Sequence, residues 1–124
     1  MRRAVEHAQG WSPFPIPARY SGRTRTDAIE SMDDLGAKIA VLRELAAAAG
    51  RAEPLDVNFV PFAFGMNTRE PLDADAFCKQ VEQLEALGVT WLSLGLPFRD
   101  RGDYEQIVGR FGEDVIARLR RTRE

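Results

Sequence analysis

Side chains able to do chemistry are sparse in this chain, and counting removes most of the familiar arrangements. The one histidine, His7, and the one cysteine, Cys78, stand far apart in sequence and cannot build a zinc site, which needs three or four nitrogen and sulfur ligands. His7 has no serine or cysteine nucleophile with an orienting acid beside it, so a catalytic triad is unsupported. No Gly-x-Gly-x-x-Gly and no Gly-Lys-Ser or Gly-Lys-Thr is present to cradle a phosphate. Cys78 lies beside an apolar helical stripe and reads as a small packed hydrophobe. The acidic pair Asp33 and Asp34 belongs to a helix start, where the dipole stabilises negative charge. Six residues at predicted strand ends are left as pocket candidates. Phe14, Phe64, Met66 and Phe98 could line an apolar cavity. Ser12 adds a hydroxyl, and Arg99 could receive a phosphate or a carboxylate. None has a catalytic role that the sequence alone assigns.

The elements that would position these residues follow from periodicity. Residues 2–9 form a short helical pattern stopped by Gly10. A brief apolar segment over 11–16 is a short strand, because its prolines cannot donate to a ladder. The polar and basic stretch from Pro17 to Thr26 reads as a loop. Ser31 and Asp34 have the spacing of a capping box. They open a helix over 32–49 whose stripe is Leu35, Ile39, Leu42 and Ala46, with Gly50 as its left-handed end. Residues 56–64 are rich in β-branched and aromatic side chains and predict a strand, with an irregularity at Pro61. Asp73 caps a helix over 74–87, closed by Gly88.

Residues 89–96 read as a strand apolar on both faces, the pattern of a parallel sheet covered by helices. Asp103 is expected to cap a last helix over 104–120, with Tyr104, Ile107, Val108, Phe111, Val115, Ile116 and Leu119 as its buried stripe. The four arginines at 118, 120, 121 and 123 fall at that helix's end, where the dipole favours cations. Strict alternation of helix and strand predicts an α/β fold with right-handed crossovers and parallel strands.

The 124 residues suffice for one domain. Seventeen Lys plus Arg nearly balance 19 Asp plus Glu, so no overall field draws the chain to nucleic acid or an anionic membrane. A single cysteine, a charged N-terminus without an apolar stretch, and the lack of a long apolar run lead us to expect a cytoplasmic chain without a leader or a membrane span. Three parallel strands with helices on one side do not close on themselves. Their edges would leave backbone groups unpaired, so such a sheet must pair with something further. A homodimer or larger homo-oligomer is therefore expected, driven in part by an apolar inner sheet face drawn from Val57, Phe59, Thr90, Leu92 and Leu94 or their alternates.

The segments Arg2-Arg-Ala-Val-Glu-His-Ala-Gln-Gly-Trp11, Leu42-Arg-Glu-Leu-Ala-Ala-Ala-Ala-Gly-Arg51 and Leu87-Gly-Val-Thr-Trp-Leu-Ser-Leu-Gly-Leu-Pro97 are similar, in order and spacing, to the last part of luciferase-like monooxygenases. They resemble the entry to that family's sixth strand, the next helix with its exit, and the eighth strand. The resemblance covers nearly the whole chain. It implies a partial (β/α)8 barrel: one fragment over 1–124, holding about three βα units after a short helix. It also implies an oxidoreductase using reduced FMN or the deazaflavin coenzyme F-420 on a small organic substrate. The pocket candidates would then sit at the barrel's C-terminal mouth, with the aromatics flanking the flavin ring and Arg99 near its phosphate. Most flavin contacts in that family come from earlier strands, so this chain alone is expected to be inactive. Met1 falls where a full-length relative continues upstream, which leads us to expect a truncated frame or a remnant. The alternative is a non-enzymatic α/β assembly or binding domain.

Overall fold

A computed structural model describes residues 1–62 and 71–124. The elements run α1 (Arg2–His7), β1 (Gly10–Trp11), α2 (Ala18–Thr24), α3 (Met32–Ala48), β2 (Asp56–Phe59), α4 (Ala74–Leu87), β3 (Trp91–Leu92) and α5 (Arg101–Phe111). A π-helical turn over Gly112–Ile116 then leads into α6 (Ala117–Arg121). The strands form one parallel sheet in chain order, β1-β2-β3. Its register sets Gly10 beside Asp56, Trp11 beside Val57, Asn58 beside Trp91 and Phe59 beside Leu92. The expected α/β class and parallel pairing are present.

Helices α1, α3 and α4 lie on one face of the sheet. Val57 and Phe59 of β2 pack in one buried cluster with Val5 of α1, Leu35, Ile39 and Leu42 of α3, and Leu84 of α4. A second cluster joins Phe77, Cys78 and Val81 of α4 to Val115 of the π turn, with Leu92 and Leu94 against it. Each such aliphatic or aromatic side chain stabilises the fold by roughly 1.5–3 kcal/mol when withdrawn from water. The ends of α3 and α4 are built as their residues predict. Ser31 and Asp34 exchange both bonds of the capping box, and Asp73 accepts from the backbone of Asp75 and Ala76. Gly50 and Gly88 take positive φ, of 67° and 103°. Arg43 reinforces the second of these ends by donating to the Leu87 carbonyl (3.2 Å).

Five expectations are corrected. The paired strands are shorter than 11–16, 56–64 and 89–96: Pro13 and Pro15 follow Trp11 without an N–H to give, and among the described residues no strand pairs with the outer side of β3. The stretch expected as a loop contains α2, which starts after Pro17 and buries no residue. The last helix begins at Arg101 because Asp100, not Asp103, is its N-cap. Asp103 sits one turn inside and turns its carboxylate back to the Arg99 N–H (2.9 Å).

The expected buried stripe of that helix is buried at Val115 alone; Tyr104, Val108 and Ile116 are exposed. Finally, the third strand is not apolar on both faces, and the open face of the sheet is not an apolar one. Val57, Phe59, Leu92 and Leu94 all turn toward the helices. Asp56, Asn58, Ser12 and Ser93 occupy the other side, with Trp91 at 65% exposure. The alternation in Asp-Val-Asn-Phe is that of a strand with one wet face.

Candidate functional site

The open sheet face is organised around Asn58. In a strand, side chains alternate between faces, so the burial of Val57 and Phe59 on the helix side turns Asn58 to the other. Its amide nitrogen donates to Ser12 Oγ (3.1 Å) and Ser93 Oγ (2.9 Å), and Ser93 Oγ returns a bond to Asn58 Oδ1 (3.1 Å). One side chain thus ties together the segments of all three strands. A turn earlier along the sheet, Thr90 Oγ1 donates to Asp56 Oδ1 (2.9 Å) and accepts from the Val57 N–H (3.0 Å). These polar groups satisfy one another, so the layer is a positioning network with few valences left for a ligand.

Beyond the C-terminal end of β3 the chain opens a groove of about 510 Å3 between Pro71–Ala74, Leu96–Arg99 and the inner side of α5. Leu72, Leu96, Pro97, Phe98, Ile107 and Phe111 give it apolar walls; Arg99, Asp103, Arg110 and Asp114 give it a rim of balanced charge. Phe98 meets Tyr104 edge to face, with centroids 5.2 Å apart. Asp103 Oδ2 accepts from both the backbone N–H and the Nε of Arg99 (2.9 and 3.4 Å), and Asp100 Oδ1 accepts from the Asp103 N–H (2.9 Å). The first turn of α5 is therefore already filled by its own carboxylates, and the guanidinium expected to receive a phosphate is turned to one of them.

The predicted pocket residues divide between two places. Phe98 and Arg99 line the groove after β3. Ser12 and Phe14 line a smaller one of about 320 Å3 after β1, together with Trp11, Ile29 and Lys38. The central strand separates them, so the four do not form one pocket. Phe64 and Met66 lie outside the described residues. Asn58 and Ser93 were missed by sequence reasoning, although the alternation of Asp56 and Asn58 with Val57 and Phe59 was there to be read.

Against a flavin, the groove after β3 fits in part. Its volume and apolar walls suit a planar ring. Its two arginines are matched by two carboxylates, which is no seat for a phosphate. Among the described residues no group of three or more His, Cys, Asp or Glu could hold a metal ion. Cys78 is buried, and burial first of all pushes its thiol up, leaving it a poor nucleophile. His7 is exposed beside Glu6. No described helix is long and apolar enough to cross a membrane. Comparison with family models, with curated proteins and with solved structures finds no match to this chain.

Proposed function

We propose that this chain supplies three consecutive βα units of a (β/α)8-barrel oxidoreductase of the luciferase-like kind, and that it is inactive without the rest of the barrel. The observation that carries the reading is the winding. The strands follow one another in chain order, all parallel, with the covering helices on one face. A doubly wound sheet reverses its strand order and takes helices on both faces, whereas a barrel wall does neither. A polar inner layer at Ser12, Asn58 and Ser93, with grooves at the C-terminal strand ends, matches where barrel enzymes keep their sites.

The resemblance supplies the cofactor class, reduced FMN or coenzyme F-420, and a small organic substrate. On this reading the chain contributes one wall of the ring site and no phosphate seat. Lumiflavin, which has the ring without the phosphate, and FMN should therefore bind the chain equally and weakly, with saturable quenching of their fluorescence. A Phe98→Ala variant should lose that quenching. Silence from both flavins and from F-420 at high protein concentration would count against the oxidoreductase reading. It would favour a non-enzymatic assembly domain, a second reading carried by the outer edges of β1 and β3 and by the exposed Trp91.

A further inference from the structure

Positive φ occurs at three described residues, each at the end of a helix. Gly50 follows α3 and Gly88 closes α4, as the left-handed region favours glycine. Helix α2 ends instead on Arg25, at φ 53° and ψ 34°. A Cβ crowds the backbone carbonyl there, so any residue but glycine holds that conformation at a cost. Helix α2 buries none of its residues, so its own packing does not force the strain. Backbone strain of this kind gathers where a side chain is kept for a ligand. Arg25 lies on the wall of the groove after β1, about 320 Å3 in volume.

We infer that this groove binds a small aromatic carboxylate, whose carboxylate group meets the Arg25 guanidinium while its ring lies against Trp11 and Phe14. Trp11, Phe14, Ile16 and Ile29 give the groove apolar walls, and Phe14 stays 53% exposed. A volume at the lower end of ligand sites suits one ring and not two. Charge selects the other end of the ligand. Lys38 and Asp27 line the same groove but are bonded to each other. The Arg25 side chain makes no ion pair and no hydrogen bond among the described residues, so one cation among the groove's side chains is uncompensated. One cation matches a monoanion. A phosphate monoester, at a charge of about −1.5 to −2, would leave negative charge over apolar walls. The two oxygens of a carboxylate also accept both arms of a guanidinium.

This groove shares no residue with the one after β3, where Arg99 is already bonded to Asp103. The inference therefore stands apart from the oxidoreductase reading, and the two fail separately. Phe98→Ala, which should abolish the quenching of lumiflavin, should leave the binding of a carboxylate after β1 unchanged.

Trp91→Phe, at a 65% exposed position, leaves Trp11 as the one indole of the chain, and its fluorescence then reports on this groove. Phenylacetate is the probe, with phenylacetamide as its neutral counterpart and phenyl phosphate as its dianionic one. Phenylacetate should change the Trp11 emission saturably, with a dissociation constant on the order of 1 mM for so small a ligand. Phenylacetamide should bind at least roughly tenfold more weakly, and phenyl phosphate no more tightly than phenylacetate. Arg25→Gly and Arg25→Gln should each weaken phenylacetate by about tenfold or more. Arg25→Gly should also keep or raise the melting temperature, since glycine takes a φ of 53° without strain. The comparison of the three probes needs no change at Arg25, so it decides even where a variant proves unfolded. A flat titration to ten times the expected dissociation constant overturns the inference. So does phenylacetamide binding as well as phenylacetate, or full binding by either Arg25 variant, because the ring alone is then recognised. Tighter binding of phenyl phosphate overturns it too, as the groove would then be a phosphate seat. An Arg25→Gly chain that melts lower does the same, because the arginine then serves the fold.

Discussion

Helices α3 and α5 carry the same kind of apolar stripe and end in opposite circumstances. Leu35, Ile39 and Leu42 of α3 are at most 2% exposed, whereas no residue of α5 is buried. The stripe itself does not account for this. Helix α3 lies over the central strand and between α1 and α4, so every side of its stripe meets a surface. Helix α5 follows β3, which among the described residues pairs with one strand only, and its main contact within the chain is the π turn that follows it. A stripe states that a helix can pack. The number of elements around it decides whether it does.

The comparison is broken most severely at its buried end. Phe59 is fully buried in the cluster that α3 covers, and Phe59→Ala should destabilise by roughly 3–5 kcal/mol, the range for emptying an aromatic site, as read by urea unfolding. A loss below about 1 kcal/mol would show that this region is as loosely packed as α5. Gly88→Val should cost less, roughly 1–3 kcal/mol. Its φ of 103° disfavours any Cβ, and the new side chain would push aside the Arg43 guanidinium that caps α4. An unchanged melting temperature would sink that account.

Ser31→Ala removes one half of the α3 capping box and should cost about 1 kcal/mol. The other half is visible in pH. The Glu30 backbone N–H first, and then the Ser31 hydroxyl, hold the Asp34 carboxyl below its ordinary range. A depressed folded-state value contributes stability above the unfolded pKa of about 4, and this is lost as the pH falls through the folded value. Asp34→Asn should therefore flatten the acid limb of the stability curve. Asp27, lowered by its bond to Lys38, should keep part of that limb in place. The smallest effect is expected at the exposed end of the comparison: Val108→Ala in dilute, monomeric protein should change stability by less than about 0.5 kcal/mol. A larger loss would mean that Val108 packs against its own chain after all.

Local chemistry was legible in advance. The capping box at Ser31 and Asp34, the left-handed glycines at 50 and 88 and the Asp73 cap are set by residues close in sequence, because their hydrogen bonds span a turn or less. The alternation of helix and strand likewise led to the parallel class, since parallel neighbours need a crossover between them. Proximity misled at Asp103, where the carboxylate three residues after Asp100 was read as the cap; both lie near the helix start, and only the backbone path shows which one precedes it. At α2, propensity in a polar stretch was outweighed by the turn signals around it.

The site was harder to read. Phe98 and Arg99 share a groove as their places in the chain suggest, but Ser12 and Phe14 line another, on the far side of β2. Nor could the sequence show that Arg99 would be turned to Asp103, which depends on how sharply the chain enters α5. What this sequence determined by itself is the three strands, the helices α1, α3, α4 and α5, the capped ends of α3 and α4 and the parallel sense, because those follow from bonds within a turn and from side-chain period. Which face of each strand is covered, that Asn58 joins Ser12 to Ser93, and that the stripe of α5 meets its own chain at Phe111 while Tyr104 and Val108 stay exposed were decided only by the tertiary structure. Each depends on which distant surfaces arrive beside a residue, and a period of two or of 3.6 marks a face without naming what will meet it.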